Sequence, residues 1–483
     1  MVQLRDLVRV SDFVWEIPAT FREDMRVPAR VYTSESMLAD TLKDQSLEQL
    51  VNATTLPGVV RHTIAMPDVH QGYGFPVGGV AAMQLPDGVI SPGAIGYDIN
   101  CGVRLLATEL DASEAAPFME KLAATLYQTC PSGVGQGGRF QLSDDELTRV
   151  LRDGAQWCRS KGLATDDDLR HTEEQGHMPG ADPAEVSTHA RERARGQLGT
   201  LGAGNHFLEV DEVVAIHDGP AADAFGLRRG QLVVQIHCGS RGLGHQICTD
   251  YVREFQGVVK RYGIVLPDRE LVCAPLDSPE GRRYLAAMQC AVNFAFANRQ
   301  ALTALVRESF ERVFRGSGLP FAIRQVYDVA HNIAKIEEHT IDGQHMTLCV
   351  HRKGATRAFG PGSPAIPADY RAVGQPVLVP GSMGTASYVL AGTAGAMAQT
   401  FGSSCHGAGR LLSRTAAKKR VQGAEVRRRL QEQGIHVHAG SMAGLAEEAP
   451  LAYKPVDQVV EVVERAGIAR IVAQLAPRAV VKG

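Results

Sequence analysis

The chain has 483 residues, of which 44% are hydrophobic and 21% charged, so it can bury a large core and is too apolar for a disordered protein. A formal net charge of −3 excludes a generally positive surface, so any contact with nucleic acid must come from local patches. Nine cysteines, without an apolar segment after Met1, indicate reduced thiols rather than a disulfide framework. No stretch is apolar enough to span a bilayer, and we expect a cytoplasmic protein that uses no membrane.

Hydrophobic periodicity and turn residues predict helices mixed with short strands that are bounded by Gly or Pro. In chain order we expect a helix over about 36–52, a strand over 59–66, a helix from a capping box at Ser143 and Glu146 to Gly162, a strand over 232–237, a helix over 281–314, strands over 345–351 and 375–379, and helices over 413–433 and 456–466. This order predicts an α+β fold rather than regular βαβ units.

Residues 165–196 are rich in charge and poor in large apolar side chains. Such a segment is typical of a surface insertion, and we interpret it as one. The chain has no Pro-rich or Ser/Gly-rich linker, and its candidate functional residues are spread from 68 to 482. We therefore expect one catalytic domain over 1–483.

Short segments with glycine beside a reactive side chain recur along the sequence. Glycine lets the backbone approach a ligand closely and present N–H groups to phosphate oxygens. The segments are Pro67-Asp68-Val69-His70-Gln71-Gly72, Gly96-Tyr97-Asp98-Ile99-Asn100-Cys101-Gly102, Gly202-Ala203-Gly204-Asn205-His206, His237-Cys238-Gly239-Ser240-Arg241, Ala330-His331-Asn332 and Cys405-His406-Gly407-Ala408-Gly409-Arg410. Together they predict a single site.

Five residues of these segments are candidate metal ligands, namely Asp98, Cys101, His206, His237 and His331. A thiolate can bridge two cations, and imidazoles and a carboxylate can complete their coordination. Taken singly, each is more often an ordinary core residue than a ligand. From ligand type alone the set favours zinc.

His406 is a candidate nucleophile towards phosphorus, because glycines and Arg410 around it resemble an anion cradle. Asp68 is the candidate residue to orient its ring. From the residues alone, a histidine packed in a glycine-rich turn is an equally good interpretation. The sequence contains no P-loop, and Lys260 to Gly263 matches a lysine-nucleophile pattern only as well as chance allows.

These segments, with Pro380 to Ser387 and Lys482, closely resemble in order the RtcB family of GTP-dependent RNA-splicing ligases. The resemblance covers nearly the whole chain and implies one domain with a central β-sandwich-like core and surrounding helices. It implies an enzyme that joins an RNA 2′,3′-cyclic phosphate or 3′-phosphate end to a 5′-hydroxyl end in tRNA splicing and RNA repair. GMP would pass from GTP to His406, and then to the RNA 3′-phosphate.

The same resemblance assigns residues. Two Mn²⁺ ions, rather than zinc, would be held by Cys101, His237 and His331 and by Asp98, Cys101 and His206, with Cys101 shared. Asp68, proposed above from the residues alone to orient the ring, is expected to be catalytic with His406. GTP would contact Asn205, His206, Glu209, His331, Asn332, Pro380, Gly381, Ser382, Met383, Ser387, His406, Gly407, Ala408, Gly409, Tyr453 and Lys482. Arg241 and Arg410 would meet RNA phosphate.

Two other functions stay open. A metal-dependent cyclic phosphodiesterase or phosphatase acting on RNA ends would need the metal ligands but neither His406 nor Lys482. An RNA-binding protein that keeps the fold without joining RNA would need none of these residues intact. The expected partners are RNA, GTP or GMP and an archease activator, and the chain is expected to be a monomer or homodimer.

Overall fold

The computed structural model describes residues 2–133 and 135–483. Its strands are β1 (Val8–Ser11), β2 (Val14–Ile17), β3 (Ala29–Tyr32), β4 (Thr63–His70), β5 (Val77–Gln84), β6 (Val89–Ile90), β7 (Gly102–Asp111), β8 (Phe207–Ile216), β9 (Gln231–Cys238), β10 (Ala274–Pro275), β11 (Ile323–Ala330), β12 (Asn332–Ile341), β13 (Gln344–Lys353), β14 (Ala355–Arg357), β15 (Pro376–Val379), β16 (Ser387–Gly392), β17 (Ser403–Cys405), β18 (His436–Ala439) and β19 (Ala469–Lys482).

The α-helices lie between these strands. They are α1 (Glu35–Thr41), α2 (Ser46–Ala53), α3 (Ala112–Ala115), α4 (Met119–Thr129), α5 (Asp144–Asp153), α6 (Ala155–Ser160), α7 (Asp166–Arg170), α8 (Thr188–Ala194), α9 (Gly219–Phe225), α10 (Arg241–Arg261), α11 (Pro279–Phe314), α12 (Ala394–Gln399), α13 (Arg414–Arg420), α14 (Gly423–Glu432), α15 (Met442–Glu447) and α16 (Val456–Arg465). Across residues 2–133 and 135–483, no helix has both the length and the apolar character that crossing a membrane requires.

Two sheets carry most of the strands. A seven-stranded sheet has the order β1-β2-β3-β4-β5-β13-β12, and an eight-stranded sheet has the order β11-β7-β9-β8-β19-β16-β15 with β18 beside β19. Apolar side chains of β4, β5 and β13 pack in one cluster with those of β15, β16 and α16. The two sheets therefore share a core, which confirms the predicted α+β fold with a sandwich-like centre and helices around it.

Helix α11 runs for 36 residues behind the eight-stranded sheet. Ser278 caps its first turn, accepting a hydrogen bond from the Gly281 N–H, and Pro279 occupies the first helical position. Its middle part is almost wholly buried and contributes to the two core clusters that pack against α5, α10 and α4. Asn298 and Arg299 are nevertheless fully buried within it, so their polar groups must find partners inside the protein.

Several helices that the sequence pattern predicts as continuous are divided in two in the structure. The helix predicted from Ser143 to Gly162 begins at the expected capping box but breaks at Gly154, whose φ is 56°. A side chain there would come within 2.3 Å of the Gly176 carbonyl oxygen, so this close approach requires glycine. The helices predicted over 36–52 and 413–433 are likewise each divided in two.

The strand predicted over 59–66 lies later, as β4, and contains Pro67 in its interior. The pairing of β4 with β5 is irregular between Ala65 and His70, so Pro67 occupies a bulge where no ladder hydrogen bond is needed. The prediction was wrong because it treated proline as the end of the strand. The same bulge directs Asp68 towards the site described below.

The polar segment 165–196 is only partly exposed on the surface. Asp168 and Glu173 are each 1% exposed, and the expectation of a surface position is wrong for them. Arg307 Nη2 donates to Asp168 Oδ1 at 2.6 Å, and Lys335 Nζ donates to Glu173 Oε1 at 2.7 Å. These acids can be buried because each is paired with a basic side chain. Both partners lie more than a hundred residues away in the sequence, so the composition of the segment does not reveal them.

Candidate active site

The predicted site residues line a cavity of about 290 Å³ between the two sheets. Those on its wall are Asp98, Cys101, Asn205, Glu209, His237, His331, Asn332, Pro380, Gly381, Ser382, Met383, His406, Gly407, Ala408, Gly409, Arg410, Tyr453 and Lys482. His206, Asp68, Ser387 and Arg241 are outside this lining. Glycine-flanked segments far apart in sequence thus meet in one place, as predicted.

Neighbouring strands of the eight-stranded sheet deliver the candidate metal ligands to the cavity. Cys101 immediately precedes β7, His206 immediately precedes β8, and His237 is the penultimate residue of β9. The pairing of β9 between β7 and β8 puts the starts of those strands beside its end. His331 lies between β11 and β12, and its N–H donates to the Cys101 carbonyl at 2.8 Å.

The ligands form two groups that share one thiol. Cys101, His237 and His331 form one group and Asp98, Cys101 and His206 the other, with the ligand atoms of each group within 4.8 Å of one another. Cys101 Sγ lies 3.3 Å from both His206 Nε2 and His237 Nε2. Ligand atoms around one tetrahedral ion are roughly 3.3–3.8 Å apart for bonds of 2.0–2.3 Å, so the spacing fits a bound cation.

The orientation of the histidine rings also fits a cation. The Nδ1 atoms of His237 and His331 are buried and have no hydrogen-bond partner among the described residues, while both Nε2 atoms face the shared centre. Burial and the Asp98 carboxylate raise the pKa of the Cys101 thiol to about 12. A divalent ion would reverse that by stabilising the thiolate. The Cys/His donor set itself suits zinc, as the sequence interpretation held.

His206 and Asp98 form the more polar half of the pair. His206 Nδ1–H donates to the Leu201 carbonyl at 3.0 Å, and Nε2 lies 2.8 Å from Asp98 Oδ2. Burial opposes charge on both side chains. Nearby Cys238, Cys101 and Asp98 nevertheless raise the pKa of His206 well above its usual value, and His206 with Arg241 lowers that of Asp98 to about 2. Electrostatics therefore keep the carboxylate ionised and available to a metal.

His406 sits on the opposite wall, directly after β17, and Asp68 orients it. Its Nδ1–H donates to Asp68 Oδ2 at 2.6 Å, and its backbone N–H donates to the same oxygen at 3.0 Å. Since a carboxylate only accepts, the proton lies on Nδ1 and the lone pair on Nε2. The ring lies 4.7 Å from that of His331, measured between centroids, so the candidate nucleophile adjoins the metal groups.

Lys482, Glu209 and Tyr453 also line the cavity. Burial lowers the pKa of Lys482, while Glu448 and Glu209 oppose that shift. Burial and the neighbouring Asp211 raise the pKa of Glu209 well above its usual value, although Lys482 opposes them. Ser387 stands behind this wall, where its Oγ accepts from the Gly381 N–H at 3.1 Å and so shapes the loop rather than the surface.

The two arginines predicted to meet RNA differ in their surroundings. Arg410 donates through Nε, Nη1 and Nη2 to protein acceptors that include Glu448 and the Tyr453 hydroxyl. Arg241 Nε donates to Thr200 Oγ1 at 3.2 Å, and its guanidinium crosses Gly202 so closely that a Cβ there would lie 2.3 Å from Nη1. Arg241 is the more available cation, and an RNA contact at either residue stays a prediction.

Residues that the sequence analysis missed stand behind the site. From α11, Arg299 donates to the carbonyls of Asn100 at 2.7 Å and Cys238 at 2.9 Å, the neighbours of Cys101 and His237. Asn298 Oδ1 accepts from the N–H groups of Gly199 and Thr200, upstream of His206. The available signal was the consecutive polar residues Asn298, Arg299 and Gln300 inside a mostly apolar helical run.

Lys454 has a similar role behind the nucleophile. Its Nζ donates to the carbonyls of Pro67 at 2.9 Å and Val69 at 2.6 Å, on either side of Asp68, and its backbone N–H donates to the Gly409 carbonyl. It ties the strand that carries Asp68 to the loop that carries His406. No pattern in the sequence indicated it.

Comparison with known proteins shows the family to which the chain belongs. A family model described as "tRNA-splicing ligase RtcB" matches residues 49–483. The chain is 53% identical over 483 residues to a tRNA-splicing ligase RtcB of Thermococcus kodakarensis, covering all of both chains, and 52% identical over 477 residues to that of Archaeoglobus fulgidus, covering 99% of each. It is also 52% identical over 439 residues to an RNA-splicing ligase RtcB of Mycobacterium bovis, which covers 90% of this chain and all of the relative. The chain belongs to the RtcB family.

Proposed function

We propose that this protein is an RNA ligase that joins a 2′,3′-cyclic phosphate or 3′-phosphate end to a 5′-hydroxyl end, using GTP through a histidine–GMP intermediate. The observation that carries the proposal is the single cavity in which His406, oriented by Asp68, adjoins two ligand groups that share Cys101. Relatives of the chain are named for tRNA splicing, so tRNA halves are the proposed substrates and broken RNA ends a second source of the same chemistry.

In the first transfer, His406 Nε2 forms a bond to the α-phosphorus of GTP, and the bond from that phosphorus to pyrophosphate breaks. Asp68 keeps the proton on Nδ1 and stabilises the positive charge that develops on the ring as Nε2 reacts. N–H groups of the Gly407 to Gly409 turn lie on the same wall and can donate to phosphate oxygens.

Water first opens a 2′,3′-cyclic phosphate end to a 3′-phosphate, with the water oxygen bonding to phosphorus and a proton going to the released 2′-oxygen. In the second transfer, an oxygen of the RNA 3′-phosphate attacks the phosphorus of GMP, and the bond to His406 breaks, which restores the neutral ring. The 5′-hydroxyl of the other RNA end then attacks the activated 3′-phosphate and GMP leaves. The two ligand groups would hold divalent cations, which supply charge stabilisation to the attacking and leaving oxygens. We propose manganese for both, following the family, although the donor set alone suits zinc.

Guanine and ribose would be held by a further group of residues that line the cavity. Lys482, Glu209 and Tyr453 present a cation, a carboxyl and a phenol there, with Ser382 and the Pro380 to Met383 loop beside them. Ser387 would act by fixing that loop. Asn205 and Asn332 line the wall nearer the metal groups, where they would contact the nucleotide phosphates.

Labelled GTP tests the proposal directly. With manganese and α-labelled GTP, we expect label that survives denaturation, maps to His406 and is lost in His406→Ala. A purified preparation should then join an RNA ending in a 2′,3′-cyclic phosphate to one beginning with a 5′-hydroxyl. Hydrolysis of the cyclic phosphate with no protein-bound label would instead establish the phosphodiesterase alternative. RNA binding with neither reaction would identify a non-catalytic protein.

A further inference from the structure

Three aromatic rings lie in contact along one edge of the cavity. Tyr73 follows β4, Tyr97 directly precedes Asp98, and His245 lies in the first turns of α10. The ring centroids of Tyr73 and Tyr97 are 5.3 Å apart, and those of Tyr97 and His245 are 4.8 Å apart with planes inclined by 31°. The three residues are here called the aromatic row; its middle ring, Tyr97, lines the cavity, and Tyr73 and His245 lie on either side of it.

The outer end of the row is open to solvent. His245 is exposed and Tyr97 is partly buried, so ring surface remains available beside the cavity mouth. Arg193 is exposed on the same side and donates to Gln246 Oε1 at 3.2 Å, one residue from His245. Aromatic rings next to a guanidinium are a typical binding surface for unpaired nucleotides, because bases stack on the rings and phosphates pair with the cation.

The segments that carry Tyr73 and Tyr97 are held together by hydrogen bonds before any ligand arrives. The buried Lys353 amine donates to the Tyr73 carbonyl at 2.6 Å and to the Gly93 carbonyl at 2.9 Å, which ties together the segments that carry Tyr73 and Tyr97. Gln49 holds Gly72 through both its amide oxygen and its amide nitrogen. A ligand that stacks here would lose little affinity to ordering the protein.

We propose that the aromatic row is a stacking platform for the terminal nucleobase of the RNA strand that carries the 3′-phosphate. Tyr97 is adjacent to Asp98, so a base against Tyr97 and His245 leaves its own phosphate at the metal groups. The platform would accept any base, because every base offers a flat π face. It rests on the proposed function in taking an RNA 3′-phosphate end, with its phosphate at the metal groups, as the ligand.

The test uses a short RNA that ends in 3′-phosphate and carries 2-aminopurine, whose fluorescence falls on stacking, as its last base. Titration with the full chain in manganese without GTP should quench the probe. His245→Ala should weaken binding about 5- to 100-fold and reduce the quenching, since it removes one ring. His245→Phe restores a ring and should restore both.

His345→Ala is the matched control, because His345 is an exposed histidine in the β12–β13 hairpin, about 30 Å along β13 from Lys353. It should bind as the unchanged protein does, and all variants should keep the same melting temperature. The proposal is wrong if His245→Ala binds and quenches normally, or if only a probe at the 5′-hydroxyl end is quenched. Protein that quenches the probe but forms no histidine–GMP would refute the proposed function and leave the platform intact.

Discussion

Replacing Asp68 by Asn changes its charge and one atom while keeping its shape. Asp68 is fully buried, and its Oδ2 accepts from both the backbone N–H and the Nδ1–H of His406, while Oδ1 has no hydrogen-bond partner among the described residues. If the amide oxygen replaces Oδ2, the amide nitrogen takes the place of Oδ1 and is buried without an acceptor. If the amide is reversed, its N–H groups face two other donors.

The two orientations of the amide predict different losses in the rate of GMP transfer to His406. The first loses a charged acceptor, worth about 1.5–3 kcal/mol, and so slows the transfer of GMP to His406 by about 10- to 150-fold. The second drives the proton from Nδ1 to Nε2, which removes the attacking lone pair and costs about 10⁴-fold, as the same change does in a serine-protease triad. We therefore expect Asp68→Asn to slow this step by about 10- to 10⁴-fold.

Single-turnover labelling with α-labelled GTP and manganese measures the step. GTP affinity should be nearly unchanged, because Asp68 does not line the cavity. Asp12→Asn, at an exposed carboxylate, is the matched control for the chemical change itself. A labelling rate for folded Asp68→Asn within about threefold of the unchanged protein, a loss of less than about 0.7 kcal/mol, would refute the orienting role of Asp68.

Three further predictions concern metal binding and acid stability. Cys101→Ser should abolish binding of both ions, because both ligand groups share Cys101, whereas His331→Ala should abolish binding of only one. Metal content after dialysis measures this, and equal losses in the two variants would contradict the shared thiol. Arg299→Met should weaken metal binding about 10- to 100-fold and lower the free energy of unfolding by about 3–5 kcal/mol, since it removes the hydrogen bonds behind the ligands; chelator competition and denaturant unfolding measure the two effects. Burial raises the pKa of Asp168, but Arg307 outweighs burial and holds that pKa at about 2, against an ordinary 3.8. The ionised form therefore contributes about 2 kcal/mol to the free energy of unfolding. This contribution is present above pH 3.8 and is lost as the pH falls to 2. Asp168→Asn should flatten acid unfolding over that interval, and an unchanged acid transition would contradict the assignment.

The residues that meet in the cavity could be predicted because their signal is local. Asp98, Cys101 and His206 lie close to glycines in short segments, which indicated a single site before any tertiary information, whereas the two sets of metal ligands were implied by the family resemblance. Element type was predictable for the same reason, since the capping box at Ser143 and the helical period of α11 lie within a few turns of chain. Residue type did not settle the metal, because the donor set favours zinc whereas the family resemblance implies manganese.

What could not be predicted depends on partners distant in sequence. Arg299 looks like a misplaced charge in an apolar helix until Asp328 and the Asn100 carbonyl are seen beside it. Glu173 looks like a surface acid until Lys335 is found 162 residues away. Buried polar networks of this kind have no period or motif, so a single sequence carries no trace of which residues they join.

His331 shows how the fold couples the two halves of the site. It is the one residue between β11, in the eight-stranded sheet, and β12, in the seven-stranded sheet. Its N–H donates to the Cys101 carbonyl, its carbonyl accepts from the Ala355 N–H at the start of β14, and β14 pairs with β17, which leads directly into His406. The crossover therefore places the candidate ligand His331 between Cys101 and the strands that lead to His406. The cavity can keep His406 beside the metal groups without a flexible loop, because the residue that joins the two sheets is itself a candidate metal ligand.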